Sequence, residues 1–515
     1  MSTSLNAARR EQDVAALAAG EVVDVLVVGL GVTGAGTALD AASRGLRVAA
    51  IDAHDLAFGT SRWSSKLIHG GLRYLAKLQV GVAYESAVER HVLMTRTAPH
   101  LIRPLPIVVP HAASVSRSAN AFAAAAAAAG EVLRFAAGTP RRVLPKPRRL
   151  STVETTALVP ALRSAGLSGA LMCWEGQLCD DARLVVGLAR AAAGLGARIV
   201  SRCRAVALAG DGAQVRDELT GASFGINARA VVNATGVWAG TLAPQVALRP
   251  SRGTHVVLPG EALGGLGVGL MVPTPGEVNR YVFALPHGDG RVHVGLTDEP
   301  LDGPVPDVPE APESDIAFLL DTLNLSLERQ LRRDDVLGAY AGLRPLLDTG
   351  TGRTADLSRR HAVITGPDGV VTVVGGKLTT YRRMAADAVD AVVSGRGLAA
   401  GHSRTKWLPL PGAAPAERLA TVDAPRRLVA RYGTEAPAVL AEAGEDERLR
   451  SPVVPGSPVT GAELLWAVRH EGALDVDDLL DRRTRIGLVP AERAAALPMA
   501  TALLAEAAAG QRATL

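Results

Sequence analysis

The sequence predicts an α/β fold with a Rossmann-like unit near its start, antiparallel strands in its middle and helices at its end. Three observations carry this prediction. Residues 22–28 (VVDVLVV) form a β-branched run that ends at glycine, which is typical of a buried parallel strand. Residues 250–300 alternate β-forming runs with proline and glycine turns, which favours antiparallel strands. The break LPLPGAAPAE at 408–417 precedes a helical, charge-rich tail.

Length and composition exclude several classes of protein. A chain of 515 residues exceeds one small core, so we expect two or three domains. Its net charge of +4 is too weak for a dedicated nucleic-acid binder. Three cysteines without a CxxC pair predict neither a disulfide framework nor a metal site, and they favour a reducing cytoplasm. The N-terminus lacks a secretory signal, and the longest apolar run, at 121–129, falls far short of the ~20 residues that a spanning helix needs.

The first strand leads into a glycine motif that is typical of dinucleotide binding. Gly29, Gly31 and Gly34 form GxGxxG between the strand and a helix. Gly29 allows the tight turn, Gly31 lets a pyrophosphate approach the backbone, and Gly34 lets the helix lie close to the strand. The helix N-terminus then points its free N–H groups at the phosphates. A second strand, 47–52, ends at Asp52, where a carboxylate can bind ribose hydroxyls, so the motif predicts an adenine dinucleotide.

Two later glycine turns indicate which dinucleotide is bound. NATGVW at 233–238 and GGKLTTYR at 375–382 both follow hydrophobic strands. Ligands collect at the carboxyl edge of such sheets, so an extended cofactor would touch several of these strand ends. This arrangement favours FAD over NAD, which shares the first motif.

Seven segments carry a resemblance to a known family, and the most specific are SSKLIHGGLRY and GGKLTTYR. The segments are VVGLGVTGAGTALDAASRG, GTSRWSSKLIHGGLRYL, CDDARLV, VNATGVW, RGTHVVLP, LRRDDVLGAYAGLRPL and VVGGKLTTYR. Over roughly residues 20–390 the chain resembles the FAD-dependent, quinone-linked glycerol-3-phosphate dehydrogenases. Residues 464–488 resemble that family's C-terminal helical domain.

The resemblance implies a particular fold and a division of the chain. The fold is a Rossmann-like FAD-binding domain of the glutathione-reductase/amino-acid-oxidase type, with an antiparallel β substrate domain and a C-terminal helical domain. We expect the FAD-binding domain to comprise residues 20–110, 180–250 and 335–400, the substrate domain 111–179 and 251–334, and the helical domain 401–515.

The resemblance also implies a reaction and its residues. The family oxidises sn-glycerol 3-phosphate to dihydroxyacetone phosphate in glycerol catabolism, and electrons pass from reduced FAD to the quinone pool. Arg73, with Tyr74, and Arg344 are expected to bind the substrate phosphate, because charge-assisted forked contacts are strong. Lys377 is expected beside the flavin and the substrate oxygen. His255 is expected to take the hydroxyl proton, since histidine suits that role near pH 7.

The remaining candidates are expected to touch the cofactor. His69 is expected to shape the flavin pocket rather than to act as the base. The sequence offers no explanation for Arg62 and Trp63. Besides the first glycine motif and Asp52, the expected FAD contacts are Ser64, Ser65, Lys66, Gly70, Gly71, Ala234, Thr235, Gly236, Gly376, Lys377, Leu378 and Thr379.

Residues 115–149 are a candidate membrane-surface segment. An alanine-rich helix is followed by five basic residues, Arg141, Arg142, Lys146, Arg148 and Arg149, which suit anionic lipid headgroups. Alanine buries little area, however, so a packed helix followed by a solvated basic loop stays an equal alternative. We therefore expect a cytoplasmic protein and leave open both a peripheral contact with the inner face of the cell membrane and the oligomeric state, with a homodimer as one option.

Three alternative functions stay open on the sequence. The first is a glycerol-3-phosphate oxidase, in which oxygen takes the electrons. The second is another FAD-dependent amine or amino-acid oxidase, whose substrate carboxylate would also bind arginine, although the two most specific motifs argue against it. The third is a flavin-binding protein without activity, which the presence of Arg73, His255, Arg344 and Lys377 disfavours.

Overall fold

The fold rests on two β-sheets. The computed structural model describes residues 2–71, 79–112, 117–274, 280–348 and 360–512. The strands in chain order are β1 Val22–Val28, β2 Val48–Ile51, β3 Leu67–Ile68, β4 Ile102–Ala112, β5 Arg148–Leu150, β6 Leu167–Leu178, β7 Arg198–Val200, β8 Cys203–Ala209, β9 Gly212–Asp217, β10 Ser223–Asn233, β11 Ser251–Pro259, β12 Gly269–Pro273, β13 Tyr281–Pro286, β14 Arg291–Gly295, β15 Glu299–Pro300, β16 Gly338–Arg344, β17 His361–Thr365 and β18 Val371–Gly375.

Helices cover the first sheet and build the C-terminal region. They are α1 Ala7–Ala18, α2 Val32–Ser43, α3 Val80–Val92, α4 Arg117–Ala136, α5 Thr152–Leu158, α6 Asp181–Gly194, α7 Ala239–Leu242, α8 Glu313–Asn324, α9 Tyr381–Arg396, α10 Ala416–Ala420, α11 Arg426–Tyr432, α12 Ala436–Ala441, α13 Glu447–Arg450, α14 Gly461–His470 and α15 Pro490–Arg512. Within the described ranges, no helix has both the length and the apolar character that crossing a membrane requires.

The first sheet is mainly parallel and has the order β17-β18-β10-β1-β2-β7. Strand β1 pairs in parallel with both β10 and β2, and β18 pairs in parallel with β10. Six of the seven residues of β1 are buried, as expected of a strand with neighbours on both sides and helices on its faces. The carboxyl ends of β1, β2, β10 and β18 therefore meet at one edge, which confirms the Rossmann-like part of the predicted fold.

The second sheet is mainly antiparallel and has the order β15-β11-β14-β13-β12-β4-β6-β3, with β16 beside β11 and β5 beside β6. Strands β11, β13 and β14 confirm the antiparallel strands predicted between residues 250 and 300. Strands β3, β4 and β16 also pair in this sheet, although the predicted division places most of their residues with the FAD-binding domain. That division stays a prediction.

The C-terminal region is helical, as predicted, and buried ion pairs tie it to the first βαβ unit. Arg482 and Arg483 both bind the carboxylate of Asp55, with N–O distances of 2.6 and 2.7 Å. Asp55 is fully buried, so each oxygen needs the partners that these two guanidinium groups supply. The turn that carries Arg482 and Arg483 therefore packs against the loop that follows β2.

Candidate active site

A cavity of about 530 Å³ is lined by residues from both sheets. The first sheet contributes the turns after its strands, and the second contributes side chains of β11 and β16. Among the predicted site residues, the cavity is lined by Gly29, Gly31, Asp52, Ser64, Ser65, Ala234, Thr235, Gly236, His255, Arg344, Gly376, Lys377, Leu378 and Thr379. Residues that are far apart in the chain thus meet at one site.

The glycine motif closes one wall of the cavity. Gly29 has φ +103°, and a Cβ there would lie 2.6 Å from the carbonyl oxygen of Ala234. A Cβ on Gly34 would lie 1.7 Å from the carbonyl oxygen of Gly29, so Gly34 serves close helix–strand contact rather than the cavity itself. Helix α2 begins at Val32, whose N–H donates to Ser61 Oγ at 2.8 Å. Ser61 Oγ therefore binds the N–H at the start of α2, and the turn before this helix lines the cavity.

Asp52 lies at the same edge and is held by the backbone. Its two carboxylate oxygens accept the N–H groups of Leu30 at 2.6 Å and His54 at 2.8 Å. Burial raises the pKa of Asp52 to about 6, against the opposing effect of these two hydrogen bonds. A carboxylate has four lone-pair positions, so both oxygens can still accept ribose hydroxyls.

His255 sits on β11 with its ring enclosed. The ring stacks on Tyr340 with centroids 4.8 Å apart, and Nε2 lies 2.8 Å from Ser65 Oγ. Gly295 on β14 is the residue that pairs with His255. A Cβ on Gly295 would lie 2.2 Å from the imidazole ring, so only glycine fits there. Burial, with the nearby cations Lys66 and Arg344, lowers the pKa of His255 to about 3. The imidazole is therefore neutral throughout the physiological range.

Arg344 and Lys377 bring positive charge to the cavity. The Arg344 guanidinium lies 3.2 Å from Asp298 Oδ1 and donates to the carbonyl oxygen of Thr297 at 3.2 Å. Gly253 leaves room for it, because a Cβ there would lie 2.4 Å from Arg344 Nη2. Lys377 Nζ donates to Ser86 Oγ at 2.5 Å. Both cations are thus oriented by neighbouring groups before any anion enters.

The comparisons with known proteins agree with this geometry. The FAD dependent oxidoreductase family model matches residues 24–382, and the C-terminal domain of alpha-glycerophosphate oxidase matches 403–513. Glycerol-3-phosphate dehydrogenase 1 of Mycobacterium tuberculosis is 52% identical to this chain over 96% of each protein. The chain belongs to the FAD-dependent glycerol-3-phosphate dehydrogenase family.

Solved structures support the fold of this family member. The glycerol-3-phosphate dehydrogenase of Bacillus halodurans, complexed with FAD, is 25% identical, with a TM-score of 0.75 over 97% of this chain and 94% of that one. The L-alpha-glycerophosphate oxidase of Mycoplasma pneumoniae, with FAD bound, is 20% identical, with a TM-score of 0.57 over 76% of this chain and 99% of that one. The second likeness shows the fold alone.

The cavity of this glycerol-3-phosphate dehydrogenase family member fits the FAD that the family uses. Gly29 and Gly31 line the cavity with backbone that carries no side chain, and Asp52 offers acceptors for ribose. At the other end, Gly375 and Gly376 have φ +77° and +74°, a conformation that favours glycine, and both line the cavity before Lys377. These residues would hold the adenine dinucleotide and leave the flavin end beside Lys377.

Some predicted contacts have other partners in the structure. Lys66 does not line the cavity, and its Nζ lies 3.3 Å from Asp181 Oδ1 in a buried pair. Gly70 leaves room for the Arg90 guanidinium, and a Cβ on Gly71 would lie 2.8 Å from Ala83 Cα. The space that these two glycines leave is therefore filled by α3. Arg73 and Tyr74 lie outside the described residues, and their roles stay predictions.

His69 lines the cavity at a different place from His255. Its Nδ1 lies 4.0 Å from Glu175 Oε1, and its ring lies 6.4 Å from that of Phe283. Glu175 also accepts the N–H of Gly70 at 3.2 Å. The expected role of His69 in shaping the pocket stays a prediction.

The structure explains the two residues that the sequence left unexplained. Arg62 is buried, donates to the carbonyl oxygen of Phe58 at 2.8 Å and lies 4.2 Å from the centre of the Trp63 ring. Burial and the neighbouring cations Arg482 and Arg485 lower the pKa of Arg62 to about 9. Trp63 lines the cavity and lies over Gly342, where a Cβ would be 2.5 Å from Trp63 Cβ.

Asp52 provides a pH-dependent prediction for cofactor affinity. Its ionised form accepts hydrogen bonds and its protonated form loses acceptor capacity, so FAD affinity should fall as pH falls through about 6. We expect the Kd for FAD to rise several-fold between pH 7 and pH 5, by equilibrium dialysis of apoenzyme, since one proton changes affinity by at most about tenfold per pH unit. Asp52→Asn cannot titrate and should lack this slope. The same slope in both proteins would contradict the assignment.

Proposed function

We propose that this chain oxidises sn-glycerol 3-phosphate to dihydroxyacetone phosphate in glycerol catabolism. The observation that carries the proposal is the meeting of Arg344, Lys377 and His255 at the cavity edge where the strand-end glycines lie. A phosphate dianion, an oxidisable carbinol and a proton need these three kinds of side chain. The relatives named glycerol-3-phosphate dehydrogenase support the same substrate.

Each polar group has a place in the proposed reaction. FAD, when bound, supplies the acceptor for the hydride from carbon 2. Arg344 presents a fixed guanidinium fork to the phosphate, and Lys377 holds the oxygen on carbon 2. Ser65 stands next to His255 Nε2, so the hydroxyl proton passes to the imidazole directly or through Ser65 Oγ. The buried, stacked ring keeps the acceptor nitrogen in one orientation.

Anaerobic bleaching of the flavin tests the proposal. Glycerol 3-phosphate should remove the yellow absorbance of the purified holoenzyme, and glycerol at the same concentration should not. Dihydroxyacetone phosphate should appear in a one-to-one ratio with the flavin reduced. A flavin that an amino acid bleaches and glycerol 3-phosphate does not would assign the chain to the amine or amino-acid oxidases instead.

We propose a quinone as the electron acceptor. The 52% identical relative is named a dehydrogenase, whereas the oxidase structure shares only the fold. Reoxidation of the reduced enzyme by a soluble quinone should therefore outpace reoxidation by air. Stoichiometric hydrogen peroxide without quinone reduction would make the enzyme an oxidase.

We propose that helix α4 brings the enzyme to the inner face of an anionic membrane. Phe135 and Val132 near its end are 79% and 67% exposed, and the basic segment 141–149 follows. Phe135→Ser should reduce flotation with anionic vesicles and leave glycerol 3-phosphate oxidation unchanged. Val308→Ser is the matched control, because Val308 is a 50% exposed apolar residue outside this segment. Equal flotation of both variants and the wild type would contradict this contact.

A further inference from the structure

One turn of the C-terminal region contacts residues 62–66, the active-site segment that precedes β3. Arg485 starts the short helical turn Ile486–Leu488 and is only 6% exposed. Its Nη2 donates to the carbonyl oxygen of Arg62 at 2.5 Å, and its guanidinium carbon lies 5.3 Å from the centre of the Trp63 ring. The ion pairs of Arg482 and Arg483 with Asp55 fix this turn in place.

Asp181 holds the same segment from a second side. One carboxylate oxygen accepts the N–H of Ser64 at 2.9 Å and its hydroxyl at 2.7 Å, while Lys66 Nζ lies 3.3 Å from the other. Arg485 Nη2 is 4.0 Å from that second oxygen. Burial raises the pKa of Asp181, but the Lys66 and Arg485 cations outweigh it and hold that pKa below its ordinary value. The carboxylate therefore stays ionised and keeps all these contacts.

The backbone of the two cationic partners is strained. Lys66 has φ +55° and Arg485 has φ +67°, values in the left-handed region that side chains other than glycine rarely adopt. Such residues persist only where surrounding contacts impose them, and they cluster at functional sites. Here both side chains lie near one carboxylate, that of Asp181, with Lys66 Nζ at 3.3 Å and Arg485 Nη2 at 4.0 Å.

Ser65 lies between the two residues that Asp181 fixes. Its hydroxyl is the neighbour of His255 Nε2, at 2.8 Å. We propose that Arg485, acting with Asp181, is a positioning residue that holds Ser65 against His255, so that the C-terminal region takes part in the chemical step. This inference rests on the proposed oxidation of glycerol 3-phosphate.

The experiment compares wild-type holoenzyme with Arg485→Gln, Arg485→Lys and Arg469→Gln. Arg469 is the control, because it belongs to the same region and its side chain pairs with Glu442 at 2.6 Å rather than with segment 62–66 or Asp181. The measurements are FAD per chain, the thermal midpoint, the anaerobic rate of flavin reduction by glycerol 3-phosphate, and the Kd of dihydroxyacetone phosphate by calorimetry.

We expect Arg485→Gln to retain FAD and to reduce its flavin roughly 30-fold more slowly, as a misplaced catalytic group does. The Kd of dihydroxyacetone phosphate should stay within about twofold, since Arg344 and Lys377 are unchanged. Arg485→Lys keeps the charge without the fork and should be intermediate. In a Ser65→Ala background, Arg485→Gln should slow reduction by less than about threefold further, because the two residues act as one unit.

Two outcomes would overturn the inference. One is a lowered thermal midpoint with a wild-type reduction rate, which would make Arg485 structural only. The other applies if Arg485→Gln fails to fold: Arg485→Lys would then reduce its flavin at the wild-type rate. Either is distinct from a failure of the proposed function, in which glycerol 3-phosphate would not bleach the wild-type enzyme.

Discussion

Arg344→Ala is expected to lower kcat/KM for glycerol 3-phosphate by about 10²–10³-fold, the range for losing one partner of a desolvated charge pair. The phosphate is remote from carbon 2, so its binding energy serves to orient the reacting end, and the loss should appear in kcat as well as in KM. Steady-state kinetics with a soluble quinone give both constants. Bound FAD should remain, because Arg344 lies on β16 in the second sheet, away from the glycine motif.

The double variant Arg344→Ala/Asp298→Asn controls for the charge that Arg344→Ala leaves behind. Asp298 is a close partner of Arg344, and its side chain is only 8% exposed, so removing the arginine alone uncovers a buried carboxylate. If phosphate recognition explains the effect, the double variant should be as inactive as the single one, and inorganic phosphate should no longer compete with substrate. Full recovery in the double variant would show that Arg344 only neutralises Asp298.

The strand-end residues could be predicted from the sequence because their chemistry is local. A strand that ends at a turn can be recognised from its own segment alone, so Gly29, Asp52, Ala234 and Gly376 can each be predicted separately. Their meeting in one cavity follows from parallel pairing, which brings carboxyl ends to one edge.

Contacts that depend on distant parts of the chain could not be predicted in this way. Ser64 and Asp181 are 117 positions apart, and Arg485 and Arg62 are 423 apart. Asp181 lies in the CDDARLV segment, which carries part of the family resemblance, but no partner for it follows from the sequence. The same limit applies to glycines. The sequence shows that Gly70 carries no side chain, but it does not show that the Arg90 guanidinium occupies the adjacent space.

His255→Ala is expected to slow turnover by about 10²-fold, at the low end for loss of a general base, and to retain FAD. The expected loss of rate is at the low end because burial and nearby cations lower the pKa of His255 to about 3. The imidazole is therefore unprotonated at every assay pH, but it is a weak proton acceptor. Single-turnover reduction of the flavin by glycerol 3-phosphate measures the step directly. Loss of bound flavin in the variant would instead make His255 a structural residue.

Gly295→Ala tests the same role without removing the imidazole. The new Cβ would lie 2.2 Å from the His255 ring, so the ring must leave its stacked position on Tyr340 and its contact with Ser65. We expect a loss similar to that of His255→Ala, and no further loss when the two changes are combined.

The wild-type pH profile decides between His255 and His69, two of the three histidines that line the cavity. Because His255 is neutral above about pH 3, its use predicts no inflection from this group between pH 5 and pH 8. A change of rate between pH 5 and pH 8 that disappears in His69→Gln would assign the proton to His69 instead.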